Sequence, residues 1–397
     1  MESKTMRVAK WDNLKAFLIL CVVTGHILYF YAGSSTMAKG LYLFLYTFHM
    51  PVFIFLAGMF SKHAVQERKS KKVIEYALIY VVMKFLEYVG DYLVNVGKAV
   101  SSLSLPAGET MTFFAKLRWG ITNSDQLVQV VKGCKTQFHF LWTDASSWFA
   151  LAMAAFLLVT MLIQKYDRAH CLRLALLIGC LAGLDNHFGD HYASLRICVF
   201  YPVFLLGYYT DRRIFEKEKQ VSSAGEKRQK KPVQSGRKAR IAAILGIVVC
   251  LIICLCFVEC LYPYVSILKG TANYAKTGLG ILGIFWRGVC YIFWGLLIAA
   301  FCTLAPEKEY PFSWIGKKTM PVFIWHRLPV YILFAVSYGE KTASGKYMLM
   351  RRLPHTYLVA VVCIAVILTV LTTYLPEFRI ADRMVAAKHK EKEENKG

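Results

Sequence analysis

The sequence predicts an all-α protein, a polytopic membrane helix bundle of about ten transmembrane helices in a single domain over residues 1–397. Hydrophobic residues make up 56% of the 397 residues, and the mean hydropathy is +0.42. Apolar stretches repeatedly reach the length of about 20 residues that a helix needs to cross a bilayer. Charged residues concentrate between these stretches. A soluble multidomain protein is therefore disfavoured.

The predicted spans follow one another along nearly the whole chain. They cover roughly residues 16–31, 41–60, 73–97, 145–163, 171–184, 196–210, 241–260, 281–303, 320–338 and 355–375. The fifth and sixth are short for a straight crossing, so we expect them to be tilted, kinked or re-entrant. The first has a basic start, but it carries a histidine and no clear small-residue cleavage site. We interpret it as a retained span rather than a signal peptide.

The net charge of +23 belongs mainly to segments between the spans. The loops at 61–72 and 211–240 and both chain ends carry many of the basic residues. An even number of spans puts the termini and these loops on one side, which the positive-inside rule makes the cytoplasm. A short outer loop near Lys341 and Arg351 is an exception. We therefore expect a multi-pass protein of the cell membrane, with cytoplasmic termini, the lipid bilayer as a partner and no nucleic acid.

Three segments outside the spans have distinct predicted roles. Residues 98–144 form an extracytoplasmic loop or a lid over the bundle, because their aromatic residues and the amphipathic stretch VQVVKG suit an interfacial helix. Residues 211–240 form a basic cytoplasmic linker that either contacts anionic lipid or is simply solvated. Residues 376–397 form a cytoplasmic tail.

Neither the cysteines nor two short motifs predict a cofactor site. Most of the 12 cysteines lie in apolar runs, and Cys254 and Cys256 are interpreted as packing residues. Residues 185–191 (DNHFGDH) offer metal-ligand types, but a polar turn is the preferred interpretation and no metal is expected. Residues 278–283 (GLGILG) match a dinucleotide-binding pattern, yet they open a span and follow no strand. We interpret them as helix-packing residues.

Histidines inside three predicted spans are the strongest candidates for chemistry. Lys15 and His26 are eleven positions apart, which puts both on one helix face about 16 Å from each other. His49 precedes Pro51, whose ring can kink the second span and open space beside the imidazole. His326 interrupts the ninth span. Ionisable groups are costly in a bilayer and tend to mark a reaction site or a pathway, so we expect these imidazoles to line one cavity. Hydrogen-bonded packing between helices is the alternative.

Charged residues inside the spans form a second group of candidates. Lys84, Glu87 and Asp91 share one helix face and are expected to neutralise one another rather than act directly. Arg287 is a lone cation that suits a phosphate, or else pairs with Glu87 or Asp91. The Asp12 side chain, three residues before Lys15, makes either a functional pair with it or an ordinary anchor at the membrane surface.

Four ordered segments of the chain together resemble one known family. They are WDNLKAFLILCVVTGH, FHMPVFIFLAGMFSK, SLRICVFYPVFLLGYY and FSWIGKKTMPVFIWH. In this order the chain resembles the integral-membrane acyltransferase family 3, and within it the fucose 4-O-acetylase-like branch. The resemblance covers nearly the whole chain. It implies a multi-pass transferase that moves an acetyl group from acetyl-CoA to a hydroxyl of a sugar or another carbohydrate acceptor of the cell envelope.

The resemblance, combined with the ionisable residues inside the spans, suggests roles for individual residues. The family pattern of a basic residue, ten residues and a histidine falls on Lys15 and His26, although many members have arginine at the first position. His26 would be the general base or would carry the acetyl group itself. His49 and His326 would orient the thioester or stabilise the developing oxyanion. When the resemblance is combined with the charged residues of the spans, the candidate donor-binding residues are the following: Lys15, Asp12, Arg196 and Arg287.

Two further segments depart from the family pattern, and two other functions are also compatible with the residues. The second segment has Ala57 before Gly58 where the family commonly has serine, and Ser147 begins a stretch that departs from the family's Leu-Trp-Phe-Leu. A membrane transporter or flippase for a polar or lipid-linked solute would also need charged residues in a bundle. A non-catalytic scaffold would leave the imidazoles without a purpose. The sequence leaves open the acceptor, the acyl length, covalent or direct transfer, and the oligomeric state.

Overall fold

The computed structural model of the chain describes residues 9–101, 103, 113–133, 146–185, 187, 192–215, 234–339 and 356–377. Every regular element in these ranges is a helix, which confirms the prediction of an all-α membrane bundle. In chain order the helices are α1 (Ala9–Ala32), α2 (Thr36–Phe60), α3 (Lys62–Gln66), α4 (Ser70–Ser101), α5 (Phe113–Thr122), α6 (Ser124–Gly133), α7 (Trp148–Ile163), α8 (Arg168–Leu181), α9 (Ser194–Tyr209), α10 (Gln234–Cys256), α11 (Val258–Leu261), α12 (Val265–Lys269), α13 (Leu282–Leu304), α14 (Ser313–Lys317), α15 (Thr319–Trp325), α16 (Arg327–Gly339) and α17 (Tyr357–Thr372).

Each predicted span coincides with one of these helices or with a broken pair. Five helical stretches in the described ranges are long and apolar enough to cross a membrane: α1, α2, Gly236–Cys256 within α10, α13, and Thr319–Val336 across α15 and α16. The helices α7, α9 and α17 are apolar but shorter. At 1.5 Å per residue, a 16-residue helix such as α9 covers about 24 Å, less than the hydrocarbon core of about 30 Å. The number of crossings therefore stays a prediction.

The segments outside the spans are only partly described. The stretch VQVVKG lies in α6, and the remainder of the predicted lid is partly outside the described residues. Helix α10 begins at Gln234, so the helix extends into the segment predicted as a basic linker. Residues 216–233 and the tail after Glu377 lie outside the description. In the DNHFGDH stretch the described Asp185 accepts a hydrogen bond from the Nδ1 of His187 at 2.9 Å, and residues 188–191 lie outside.

Helix starts follow ordinary capping chemistry. The Ser35 side chain accepts a hydrogen bond from the backbone N–H of Ala38 and begins α2. At the start of α8, Asp167 accepts from the backbone N–H of His170 at 2.9 Å. This hydrogen bond holds the pKa of the Asp167 carboxyl below its ordinary value. Both caps end a connection and fix where the next helix enters the bundle.

Helix α1 is the central element, since most of its side chains are buried. Its first turns are fixed by polar contacts with the chain that leads into α14. The Asn13 amide donates to the carbonyls of Pro306 at 2.9 Å and Lys308 at 2.8 Å, and its Oδ1 accepts from the Ser313 hydroxyl. Gly316 packs directly against the backbone of Asp12. These contacts set the depth of α1, and with it the position of His26.

Two glycines let α2 and α9 cross at close range. A Cβ at Gly58 would lie 2.0 Å from the Phe204 carbonyl oxygen, and a Cβ at Gly207 would lie 2.0 Å from the Phe55 carbonyl oxygen. Small residues of this kind allow backbones to approach in membrane bundles, where packing drives association. The crossing explains why both glycines occur in otherwise bulky segments.

We expect Gly207→Ala to destabilise the folded protein by about 1–3 kcal/mol, because an added methyl group has no space at this crossing. The measurement is thermal unfolding in detergent, monitored as the loss of the monodisperse chromatographic peak with increasing temperature. Gly246→Ala is the matched control, since a Cβ there meets no atom of the described part of the chain within 4 Å. Equal stability of the two variants would contradict the close crossing.

Candidate active site

A cavity of about 910 Å³ lies within the bundle and is lined from several helices. Helix α1 contributes His26, α2 contributes His49, α4 contributes Glu87, α9 contributes Arg196 and α16 contributes Arg327. Aromatic side chains form much of the remaining wall. A concave, largely preformed chamber with a few convergent polar groups is the usual form of a small-molecule site.

His26 is positioned by α1 and contacted by two residues that are about 300 positions away in the chain. Its Nδ1 accepts a hydrogen bond from the Nη1 of Arg327 at 3.0 Å. Its ring centroid lies 5.1 Å from that of His326, with the rings tilted by 31°. The imidazole is half-buried and lines the cavity. His326 and Arg327, at the break between α15 and α16, therefore hold the His26 ring in its orientation.

His49 lines the same cavity from α2, which runs continuously through Pro51. Its Nδ1 donates to the Leu45 carbonyl, one turn earlier, at 2.5 Å. The imidazole packs edge-on against the Tyr46 ring with centroids 4.7 Å apart. These contacts direct the opposite ring nitrogen away from the helix backbone.

His326 is the third predicted imidazole, and it does not line the cavity. It is completely buried at the junction of α15 and α16. Its Nδ1 donates to the carbonyls of Val322 at 2.9 Å and Phe323 at 3.0 Å. Two of the three imidazoles, those of His26 and His49, thus line the cavity, and the ring of His326 contacts the ring of His26.

Arg327, which is not among the site residues predicted from the sequence, contacts both His26 and Tyr331. Its Nη2 donates to the Tyr331 hydroxyl at 2.7 Å, and the guanidinium carbon lies 4.5 Å from the centroid of the Tyr331 ring. The signal available in the sequence was the His326–Arg327 pair inside an apolar run. Adjacent residues on a helix point in different directions, so a role for His326 does not account for Arg327. A charged residue in an apolar run is costly, and Arg327 was therefore a candidate in its own right.

The Lys84–Glu87 pair joins α4 to the start of α7. Lys84 donates to Glu87 at 3.2 Å, and the Ser147 backbone N–H and hydroxyl donate to the same carboxylate at 2.9 and 3.0 Å. This supports the structural interpretation of the group. Glu87 therefore does not serve as the partner of Arg287 that the sequence allowed.

The predicted donor-binding residues are distributed over different places. Arg196 lines the cavity, with its guanidinium 5.1 Å from the Trp148 ring. Arg287 is buried next to the Trp294 ring and is not among the described residues that line the cavity. Asp12 and Lys15 form an ion pair at 3.3 Å near the beginning of α1 and also do not line the cavity.

The charged wall of the cavity is predominantly cationic among the described residues. The cations are Lys84, Lys98, Arg196, Lys269 and Arg327, and the carboxylates are Glu87 and Asp91. An excess of one charge in a chamber with low-dielectric walls attracts ligands of the opposite sign. The cavity thus favours groups that carry or develop negative charge.

A comparison with protein families gives a match over almost the entire chain. The model of the acyltransferase family 3, described as an acyltransferase domain, matches residues 8–374. The chain belongs to acyltransferase family 3. No curated protein and no solved structure matches the chain.

Membership in acyltransferase family 3 confirms the central part of the functional prediction: the protein is a membrane acyltransferase. The transporter or flippase interpretation receives no support from the match. The fucose 4-O-acetylase-like branch is not confirmed.

For an acyltransferase family 3 protein, the cavity contains the group types that acyl transfer needs. An imidazole can take up the proton of an attacking hydroxyl. Hydrogen-bond donors and cations at the wall can stabilise the oxygen on which negative charge develops. His26, His49 and Arg327 supply these groups within one chamber.

Proposed function

We propose that the protein is a membrane O-acetyltransferase that moves an acetyl group from acetyl-CoA to a hydroxyl of a sugar or envelope glycan. The single observation that supports this proposal is the convergence of His26 and His49 on one cavity in a chain of acyltransferase family 3. The hydroxyl-bearing acceptor would occupy the cavity beside these imidazoles.

The residues at the beginning of α1 fit a phosphorylated acyl donor. Lys15 forms its pair with Asp12, and its Nζ lies 4.7 Å from the centroid of the Phe60 ring. Gly316 in α14 packs on the Asp12 backbone, which brings the chain at Lys317 and Lys318 to the same end of α1. Ammonium groups and an aromatic ring suit phosphates and a purine. When bound, acetyl-CoA supplies a thioester with a carbonyl carbon open to attack and a good leaving sulfur.

The chain's own residues would perform three tasks. Imidazoles at the cavity wall would take the proton from the acceptor hydroxyl and stabilise the developing oxyanion. The aromatic wall, including Trp148 and Phe149, would exclude water that competes with the acceptor. Arg196 would hold an anionic portion of a substrate at the wall.

The decisive experiment uses purified protein in detergent with radiolabelled acetyl-CoA and candidate glycans. Acceptor-dependent release of free thiol, with the label transferred to the glycan, supports the proposal. Longer acyl-CoA donors tested in parallel define the acyl group. Solute uptake by proteoliposomes without thiol release would instead favour transport.

We expect Lys15→Gln to raise the acetyl-CoA concentration needed for half-maximal rate about five- to tenfold, with little change in the maximal rate. The reason is that one charge contact to a phosphate contributes about 1–1.4 kcal/mol. Lys15→Arg should restore most of the apparent affinity. Lys39→Gln is a suitable control. Lys39 pairs with Glu259 at 2.9 Å near the start of α2, whereas Lys15 lies against Phe60 at the end of that helix. An unchanged donor requirement in Lys15→Gln would argue against a donor site at α1.

A further inference from the structure

Hydrogen bonds to the three histidines determine which nitrogen of each neutral ring carries the proton. A guanidinium N–H can only donate, and a carbonyl oxygen can only accept. The Nδ1 of His26 faces the Arg327 guanidinium, so it is the acceptor and the ring proton lies on Nε2. The Nδ1 atoms of His49 and His326 face carbonyls, so they carry the proton and leave Nε2 as the acceptor.

The two imidazoles at the cavity wall therefore differ in chemistry. His26 presents an N–H donor on Nε2, and Arg327 occupies its other nitrogen. His49 presents a lone pair on Nε2, the form that can take up a proton. The Nε2 of His326 is buried and has no hydrogen-bond partner among the described residues, and His326 is not part of the described cavity lining. Among these three rings, only His49 both lines the cavity and has its lone pair on Nε2.

Arg327 is held in the orientation that this assignment requires. One guanidinium nitrogen binds the Tyr331 hydroxyl at 2.7 Å, and a second binds His26 at 3.0 Å. Tyr331 lies one turn later on α16, so the arginine is fixed by its own helix while it reaches across to α1. Such fixed orientation of an imidazole by a second residue is what determines its tautomer.

We propose that Arg327 is a positioning residue that holds His26 in the Nε2–H form, so that His26 donates to the acyl carbonyl and His49 is the base for the acceptor hydroxyl. This proposal rests on the acyl transfer proposed above. The acceptor oxygen forms a bond to the acyl carbon, and the carbon–sulfur bond breaks. The hydroxyl proton moves to the Nε2 of His49 and then to the departing sulfur, so that His49 is regenerated. His26 keeps its proton throughout and stabilises the oxyanion.

The tautomers can be measured without any enzymatic assay. Protein labelled with ¹⁵N-histidine in lipid nanodiscs gives distinct signals for protonated and unprotonated ring nitrogens, and His26→Gln and His49→Gln identify the two residues by loss of signal. We expect His26 to be protonated on Nε2 and His49 on Nδ1. A His26 signal from the Nδ1–H form, or from an imidazolium, at neutral pH would overturn the proposal.

Arg327→Met tests the positioning role with the same measurement. We expect the His26 signals to shift toward the Nδ1–H form while the His49 signals stay unchanged, because only His26 loses its donor. An unchanged His26 tautomer would contradict the role of Arg327. The unchanged His49 signals and a monodisperse chromatographic peak report that the variant is folded, and the wild-type spectrum tests the assignment even if the variant is not.

Glutamine variants separate the two roles in the transferase assay. A glutamine amide can donate a hydrogen bond but cannot take up a proton. His26→Gln should therefore lose only about tenfold in rate, less than the loss for removing a donor outright. His49→Gln should lose about 10³-fold or more, as expected for loss of a general base. The reverse order would overturn the assignment. If the wild-type protein transfers no acyl group, the proposed function is wrong. The spectra still test the tautomers of His26 and His49 independently of that result.

Discussion

Replacing His26 with alanine is expected to lower acetyl transfer about 10²–10³-fold, the largest effect on activity that we expect for α1. The substitution removes the imidazole that lines the cavity and leaves the Arg327 guanidinium without its acceptor at 3.0 Å. A loss of this size is typical when a preorganised hydrogen-bond donor to a developing oxyanion is deleted. The measurement is acceptor-dependent thiol release from acetyl-CoA at saturating donor.

A matched histidine separates this effect from general loss of an imidazole. His170 lies at the start of α8 with an exposed side chain, paired with Asp167 at 2.9 Å. His170→Ala should keep the wild-type rate. If His26→Ala also transfers acetyl at the wild-type rate while its folding is unchanged, the cavity beside α1 is not where transfer occurs.

Replacing Glu87 with leucine is expected to destabilise the protein by about 3–5 kcal/mol, the largest effect on stability that we predict. The Glu87 carboxylate is buried and accepts from Lys84 and from both the backbone N–H and the hydroxyl of Ser147. Removing one partner of a buried pair leaves the other charge poorly compensated, which costs this amount. Ser147, the residue that precedes α7, would also lose the acceptor of its N–H and hydroxyl.

The stability of Glu87→Leu should be compared by thermal unfolding in detergent with that of Glu259→Gln. Glu259 forms an exposed pair with Lys39, and such pairs contribute about 0–1 kcal/mol. Glu87→Gln should fall between the two variants, because the amide oxygen can still accept from Ser147. An unfolding midpoint for Glu87→Leu equal to that of Glu259→Gln would show that the α4–α7 junction does not depend on this carboxylate.

Several features of the site were predictable from short-range sequence patterns. The position of His26 within α1 and of His49 within α2 follows from hydropathy, since an apolar run of this length forms a helix wherever it packs. The shared face of Lys84 and Glu87 follows from helical spacing. Gly58 and Gly207 can be recognised in the sequence as small residues, but the sequence does not predict that α2 and α9 cross at these two positions.

Contacts between distant segments account for what the sequence did not reveal. Arg327 and His26 are about 300 residues apart, and no local pattern predicts that one donates to the other. The same holds for Glu87 and Ser147. The placement of Arg287 beside Trp294, outside the described lining of the cavity, likewise depends on how α13 packs rather than on its composition.

The sequence by itself determined the helices, the membrane class of the protein, its acyltransferase family and the presence of imidazoles inside apolar segments. Hydropathy and helical periodicity are properties of single segments, so they can be read without knowing any neighbour. Only the tertiary structure decided which imidazole presents a donor and which presents a lone pair. That distinction depends on the group that reaches each Nδ1: the guanidinium of another helix for His26, and a carbonyl of its own helix for His49.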